Sequence, residues 1–221
     1  MLSWPWLVTW IAGLSTCLKF CFVFGMTRYR DHLVSDMGGY WIRALERFGG
    51  DETSITQWDS GWPPLPHVLL AQFFRLIHLL RLDDLRLEIV LGTQILLSAA
   101  SVLLLYGIAL RISRDVRAAN LVALLYAFSY PTIYLCGFVL SEGPAVPLLI
   151  TAVWLVLRCE RVWCSAAAGA VLSLAVALRP AYLPMAAVFG LYILWRRRAS
   201  AAALNDRPRF GDSRSRRGLK S

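Results

Sequence analysis

The chain has 221 residues, of which 57% are hydrophobic and 12% aromatic, and its mean hydropathy is +0.55. These values exclude a soluble globular domain of ordinary composition and indicate an integral membrane protein. The formal net charge is +9, and many of the basic residues follow residue 194, where few aromatic side chains accompany them. This pattern favours a basic flank on the cytoplasmic side of a membrane and argues against a nucleic-acid partner.

The first apolar run covers residues 2–26, and its only charged side chain is Lys19. It is long enough to cross a hydrocarbon core of ~30 Å. Because no basic segment opens it and no small-residue cleavage motif follows it, we expect an uncleaved anchor. The Lys19 side chain is long enough that we expect it to snorkel towards the interface, and the sequence gives no support for a functional role there. The five cysteines of the chain follow no ligand or disulfide spacing and are expected to pack in the core.

A long loop, residues 27–86, follows the first span. Its part from 35 to 66 is polar, aromatic and acidic. The apolar segment 67–80 contains Arg75 and His78 and is shorter than the roughly 20 residues that a span needs. It begins after a proline pair, so we expect a short helix lying in the membrane interface.

The rest of the chain contains further apolar segments. They cover residues 87–110, 118–140 (with a kink expected at Pro131), 145–157, 162–178 and 181–195. The sequence therefore predicts an all-α, polytopic membrane protein with about six transmembrane helices and interfacial helices in a large external first loop. Residues 1–195 form this module, and residues 196–221 form a basic, disordered cytoplasmic tail.

Charge sets the predicted topology. With a cytoplasmic N-terminus, the basic turns at 111–117 and 158–161 and the tail fall inside, as the positive-inside rule requires. The loop 27–86 falls outside, since long segments translocate largely regardless of their charge. This topology predicts that Asp36, Glu142 and Arg179 share the external face.

Those three residues are the candidates for chemistry. A carboxylate such as Asp36 or Glu142 can act as a general base, and the Arg179 guanidinium can hold a phosphate through two hydrogen bonds. Each could equally be a solvated loop charge. Trp58 and Trp62 could stack on a sugar or belong to an interfacial aromatic belt. The histidines have no metal-ligand spacing.

Several short motifs carry a resemblance when they are taken in order. They are SDMGGYW at 35–41, WPPLPHVLLAQFFRLI at 62–77, ALRISRDVRAA at 109–119, LSE at 140–142 and ALRP at 177–180. Over residues 1–195 this order resembles the N-terminal module of the GT-C superfamily of membrane glycosyltransferases, in the branch of the protein O-mannosyltransferases and the aminoarabinose transferases of lipid A. Members of that family are usually longer, with further spans.

The resemblance implies transfer of a sugar from a polyprenyl- or dolichyl-phosphate donor to an acceptor hydroxyl on the external side, with inversion at the anomeric carbon. By position, Asp36 matches the loop carboxylate that activates the acceptor, Glu142 the second acidic residue, and Arg179 the residue near the donor phosphate. No cofactor is implied with certainty, and the need for a divalent cation stays open. The implied location is a bacterial inner membrane. The alternative is a non-enzymatic membrane scaffold that acts with a membrane-protein partner, or an inactive truncated module.

Overall fold

The computed structural model describes residues 4–32, 35–50, 63–158 and 162–205, and these residues are helical, without a β-strand. The predicted all-α class is therefore confirmed. The chain divides into two compact units, Met1–Leu183 and Pro184–Ser221. The α-helices are α1 (Trp4–Phe20), α2 (Ser35–Gly49), α3 (Pro64–Leu79), α4 (Arg86–Ser113), α5 (Val116–Phe128), α6 (Tyr130–Leu135), α7 (Glu142–Arg158), α8 (Val162–Leu178) and α9 (Leu183–Asn205).

Two helical segments are long and apolar enough to cross a membrane. They are Trp6–Met26, in which α1 continues through the π-helical turn Cys21–Met26, and Asp83–Ser113, which includes α4. The other apolar helices in the described part of the chain are shorter than a simple span requires. They are Leu65–Leu79, Val116–Phe128, Trp163–Leu178 and Pro180–Trp195.

The first long helix runs antiparallel to the second. The Phe20 ring lies beside Gly92 near the start of α4, whereas Val8 and Ala12 pack in one cluster with Val102 further along. A side chain of α1 also reaches α5, where the Ser15 hydroxyl donates a hydrogen bond of 2.8 Å to the Ala127 carbonyl oxygen. The buried face of α1 therefore packs against both α4 and α5.

α4 and α7 run parallel. Gly143 at the start of α7 packs against Gln94, and Trp154 near the end of α7 packs against Gly107 further along α4. α8 returns in the opposite direction, because Arg179, directly after its last residue, meets Glu142. The starts of α4 and α7 and the end of α8 therefore share one end of the bundle, which we call the Glu142 end. The opposite end, where α4 and α7 finish, is the Arg158 end.

The loop after the first long helix contributes two helices that pack side by side at the Glu142 end. The rings of Trp41 in α2 and Phe74 in α3 lie 4.8 Å apart between centroids. Phe74 is fully buried in a cluster with Leu91 of α4. α3 begins directly after Pro63, with prolines in its first turn, as the proline pair predicted.

The third predicted span, residues 118–140, is divided. α5 ends at Phe128, Ser129 is extended with ψ 136°, and α6 begins at Tyr130. Pro131 therefore lies in the first turn of a new helix, where its missing N–H costs nothing, and the expectation of a kink within one helix is wrong. The Thr132 hydroxyl donates to the Tyr126 carbonyl oxygen at 2.8 Å and supports the break.

The cysteines also differ from expectation. Cys136 is buried, but Cys17 and Cys21 are exposed and Cys164 is disulfide-bonded. The expectation that every cysteine packs in the core is therefore wrong for these three. Cys17 and Cys21 lie on the part of the first long helix that the other helices leave uncovered, which sequence spacing alone did not indicate.

Candidate functional site

Glu142 and Arg179 form an ion pair between Oε1 and Nη1. Glu142 is the first residue of α7, and Arg179 has an extended backbone because Pro180 follows it and disfavours helix. The Ser141 hydroxyl donates a hydrogen bond of 3.1 Å to Glu142 Oε2. The two side chains are 22% and 38% exposed, so the pair is accessible from outside the bundle. Two of the three residues predicted for the site thus lie in direct contact.

A small cavity of about 80 Å³ lies behind this pair. Its walls combine Glu142 with polar side chains of α4 and α5, among them Gln94, Ser98 and Tyr126. Gly143 makes the close approach of α7 to Gln94 possible, since a Cβ atom there would lie 2.6 Å from the Gln94 side chain. Gln94 Oε1 is buried and accepts no hydrogen bond from the described residues. An amide oxygen in this state can accept a hydrogen bond from a ligand hydroxyl.

A second cavity of about 260 Å³ lies on the other side of Gln94. Its lining is almost entirely apolar and comes from α2, α3, α4, α7, α8 and the segment before α7. Tyr40, Gln94 and Ser141 supply polar groups at its wall. Gln94 therefore lines both this apolar cavity and the small cavity that Glu142 lines.

Lys19 is fully buried and does not snorkel, so that expectation is wrong. Its Nζ atom donates a hydrogen bond of 2.7 Å to Ser98 Oγ and lies 5.9 Å from the centroid of the Tyr126 ring. Both neighbours line the small cavity behind the Glu142–Arg179 pair. Lys19 does not reach the interface because α4 and α5 cover this face of α1, and its side chain has a polar partner inside the bundle.

Asp36 lies in the first turn of α2, one helical turn before Tyr40 of the larger cavity. Its side chain, together with Trp58 and Trp62, lies outside the residues that the structure describes. The roles predicted for these three residues therefore stay predictions.

The segment that connects α1 to α2 is anchored to the start of α4. Arg30 Nη2 lies 2.5 Å from Glu88 Oε1, and the Tyr29 hydroxyl donates to the same oxygen at 2.9 Å. The hydrogen bond to Glu88 raises the pKa of the Arg30 guanidinium. Glu88 is thus paired at the surface of the Glu142 end and lines neither cavity. A substitution of Glu88 is therefore a suitable control for the same substitution of Glu142.

No family model, curated protein or solved structure matches the chain.

Metal binding has little support from the described side chains. Within residues 4–32, 35–50, 63–158 and 162–205, no group of three or more His, Cys, Asp or Glu side chains could hold a metal ion. Among the described residues, the ion pair and the small cavity behind it provide the Arg179 guanidinium, the Glu142 carboxylate and several neutral hydrogen-bonding groups. Such a set can bind a phosphate and orient a hydroxyl.

Sequence reasoning missed Gln94 and Ser98, which link the ion pair to the interior. Both are uncharged polar residues within the apolar run of α4. A polar residue inside a membrane-length helix is a signal in itself, because it faces a partner or a cavity more often than lipid. The spacing of Gln94 and Ser98, four residues apart, also put them on one face of the helix.

Proposed function

We propose that the chain is a membrane glycosyltransferase. It would transfer a sugar from a polyprenyl- or dolichyl-phosphate donor to an acceptor hydroxyl on the external side, with inversion. The observation that carries this proposal is the accessible Glu142–Arg179 ion pair, with a small cavity behind it that includes hydrogen-bonding side chains and a larger apolar cavity beside it. A lipid-linked sugar phosphate needs these three environments together: a cation for the phosphate, polar groups for the sugar, and an apolar surface for the lipid.

The resemblance to the GT-C superfamily assigns the individual roles. The donor phosphate takes over the Arg179 guanidinium from Glu142, which leaves the carboxylate free to accept a hydrogen bond from the substrate. Asp36 accepts the proton of the acceptor hydroxyl. The acceptor oxygen then forms its bond to the anomeric carbon from the face opposite the phosphate. The bond between that carbon and the phosphate oxygen breaks, and Arg179 stabilises the charge of the departing lipid phosphate.

The proposal includes a topology of about six spans with a cytoplasmic N-terminus in a bacterial inner membrane. It is supported by the alternating directions of α1, α4 and α8 and by the parallel course of α4 and α7. Under this topology the Glu142 end faces outside. Helices shorter than a full span are then accommodated by local thinning of the bilayer or by snorkelling of flanking residues.

A second candidate is a non-enzymatic scaffold, and one observation favours it. Glu142 and Arg179 neutralise each other within the chain, so the pair can serve simply to join the start of α7 to the end of α8. In that case the cavities would bind no donor, and a membrane-protein partner would use other surfaces of the chain.

An activity assay separates the two candidates. The purified full chain in liposomes is incubated with polyprenyl-phosphate mannose or polyprenyl-phosphate aminoarabinose and a membrane lipid extract as the acceptor source. The released polyprenyl phosphate is measured by mass spectrometry. We expect Asp36→Asn to lower the rate by about 10²–10⁴-fold and Arg179→Gln by about 10²–10³-fold.

The matched control is Glu88→Gln, which breaks the Arg30 ion pair at the same end of the bundle. It should retain the wild-type rate, whereas Glu142→Gln should lose most of it. If the wild-type chain releases no polyprenyl phosphate, or if Asp36→Asn matches its rate, the proposed mechanism is wrong. The scaffold candidate then stands.

A further inference from the structure

A third cavity, of about 330 Å³, lies at the Arg158 end of the bundle, between the last turns of α4 and α7. Arg111 comes from α4, and Trp154 and Arg158 come from α7. Its volume falls in the range of small-molecule sites. At a rise of about 1.5 Å per residue, Gln94 and Arg111 lie about 25 Å apart along α4, so this cavity is well separated from the Glu142 end.

The two arginines bring positive charge to this cavity. Neither Arg111 nor Arg158 forms an ion pair with any residue in the described part of the chain. The Arg158 guanidinium lies 4.5 Å from the centroid of the Trp154 ring, which orients it without neutralising it. At the Glu142 end, by contrast, Arg30 and Arg179 each have a carboxylate partner.

The position of the cavity along the helix indicates its surroundings. Arg111 lies in the last turn of a helix that is long and apolar enough to span a bilayer. Such a position is at the level of the lipid headgroups, where tryptophan is also enriched. Part of the cavity wall is apolar and includes Ile108 and Leu157. The site therefore combines cationic groups at headgroup depth with an apolar wall towards the hydrocarbon.

We propose that this cavity binds the phosphate headgroup of an anionic glycerophospholipid from the surrounding bilayer. The two guanidinium groups hydrogen-bond the phosphate oxygens, and the apolar wall receives the first methylene groups of an acyl chain. Gly107 lies against the Trp154 indole, whose Nε1 would be in ordinary van der Waals contact, at 3.4 Å, with a Cβ atom at that position. This proposal is independent of the glycosyltransferase proposal, since it uses none of the same residues.

The test uses the full chain in dodecyl maltoside micelles and counts bound lipid by native mass spectrometry. The ligands are dioctanoyl phosphatidylglycerol, dioctanoyl phosphatidylcholine and inorganic phosphate. We expect phosphatidylglycerol to bind at least about tenfold more tightly than phosphatidylcholine. Arg111→Gln and Arg158→Gln should each lower that affinity about fivefold, and the double variant should lower it further than either single variant.

Arg117→Gln is the matched control, because Arg117 follows α4 closely and carries the same charge without lining the cavity. It should change the affinity for phosphatidylglycerol less than about twofold. The proposal is overturned if the two lipids bind equally, if Arg117→Gln costs as much as Arg158→Gln, or if inorganic phosphate competes with the lipid at equal concentration. Thermal unfolding of each variant without lipid checks that it remains folded.

Discussion

Replacement of Lys19 tests whether its buried charge raises or lowers the free energy of unfolding of the bundle. Lys19 has no exposed surface, and the hydrogen bond to Ser98 at 2.7 Å is its shortest described polar contact. Lys19→Met keeps most of the volume and removes the charge. The lost hydrogen bond costs about 1.5–3 kcal/mol, whereas burying an ammonium group costs several kcal/mol. The free energy of unfolding of the Met variant should therefore equal that of the wild type or exceed it by about 1 kcal/mol. Lys19→Ala also leaves a cavity and should lose about 2–5 kcal/mol.

The assay is equilibrium unfolding of the detergent-solubilised chain by sodium dodecyl sulfate, followed by the fluorescence of its nine tryptophans. Ser98→Ala provides a double-mutant cycle with Lys19→Met. It should cost about 1–3 kcal/mol beside Lys19 and close to nothing beside methionine, where no ammonium group loses its partner. If Lys19→Met falls as far as Lys19→Ala, the charge itself stabilises the fold, and the reasoning from desolvation is refuted.

Two further predictions concern packing and topology. Gly143→Ala should lower the free energy of unfolding by about 1–3 kcal/mol in the same assay, because the new Cβ atom would overlap the Gln94 side chain. Adding Gln94→Ala to this variant should restore most of the loss. If it does not, the strain lies elsewhere. Single cysteines at Ser35, Ser141 and Ser113, in a background without the native cysteines, should react with an impermeant maleimide in intact cells at Ser35 and Ser141 but not at Ser113. Labelling of Ser141 and Ser113 from the same side would contradict the parallel course of α4 and α7 across a membrane.

The helices could be predicted from the sequence where the hydropathy agrees with the charged residues and prolines that mark the helix ends. The segment 162–178 coincides with α8, because basic residues precede it and an Arg-Pro pair follows it. The segment 118–140 was predicted less well. Hydropathy is continuous through Ser129, whereas the break there depends on the hydrogen bonds of Thr132 to the end of α5. Such local hydrogen bonds do not change the average hydropathy of a segment.

The candidate site could be predicted in part. The positive-inside rule put Glu142 and Arg179 on one face, and the ion pair brings them together. The contribution of Gln94 and Ser98 could not be found in the same way, because a single neutral polar side chain hardly changes the hydropathy of a long apolar helix. The buried position of Lys19 depends on the packing of α1 against two other helices, which a rule based on one helix and one membrane does not include.

The unequal distribution of charge pairs along the bundle has an energetic consequence in an energised membrane. The ion pairs of Glu142 and Glu88 are electrically neutral, so a transmembrane voltage exerts little net work on them. Arg111 and Arg158 have no acidic partner within the described residues, and each contributes about 2.3 kcal/mol per 100 mV when moved across the full potential. Under the proposed topology, a voltage that is negative inside therefore favours the orientation with these two arginines inside, and a collapsed voltage removes that bias.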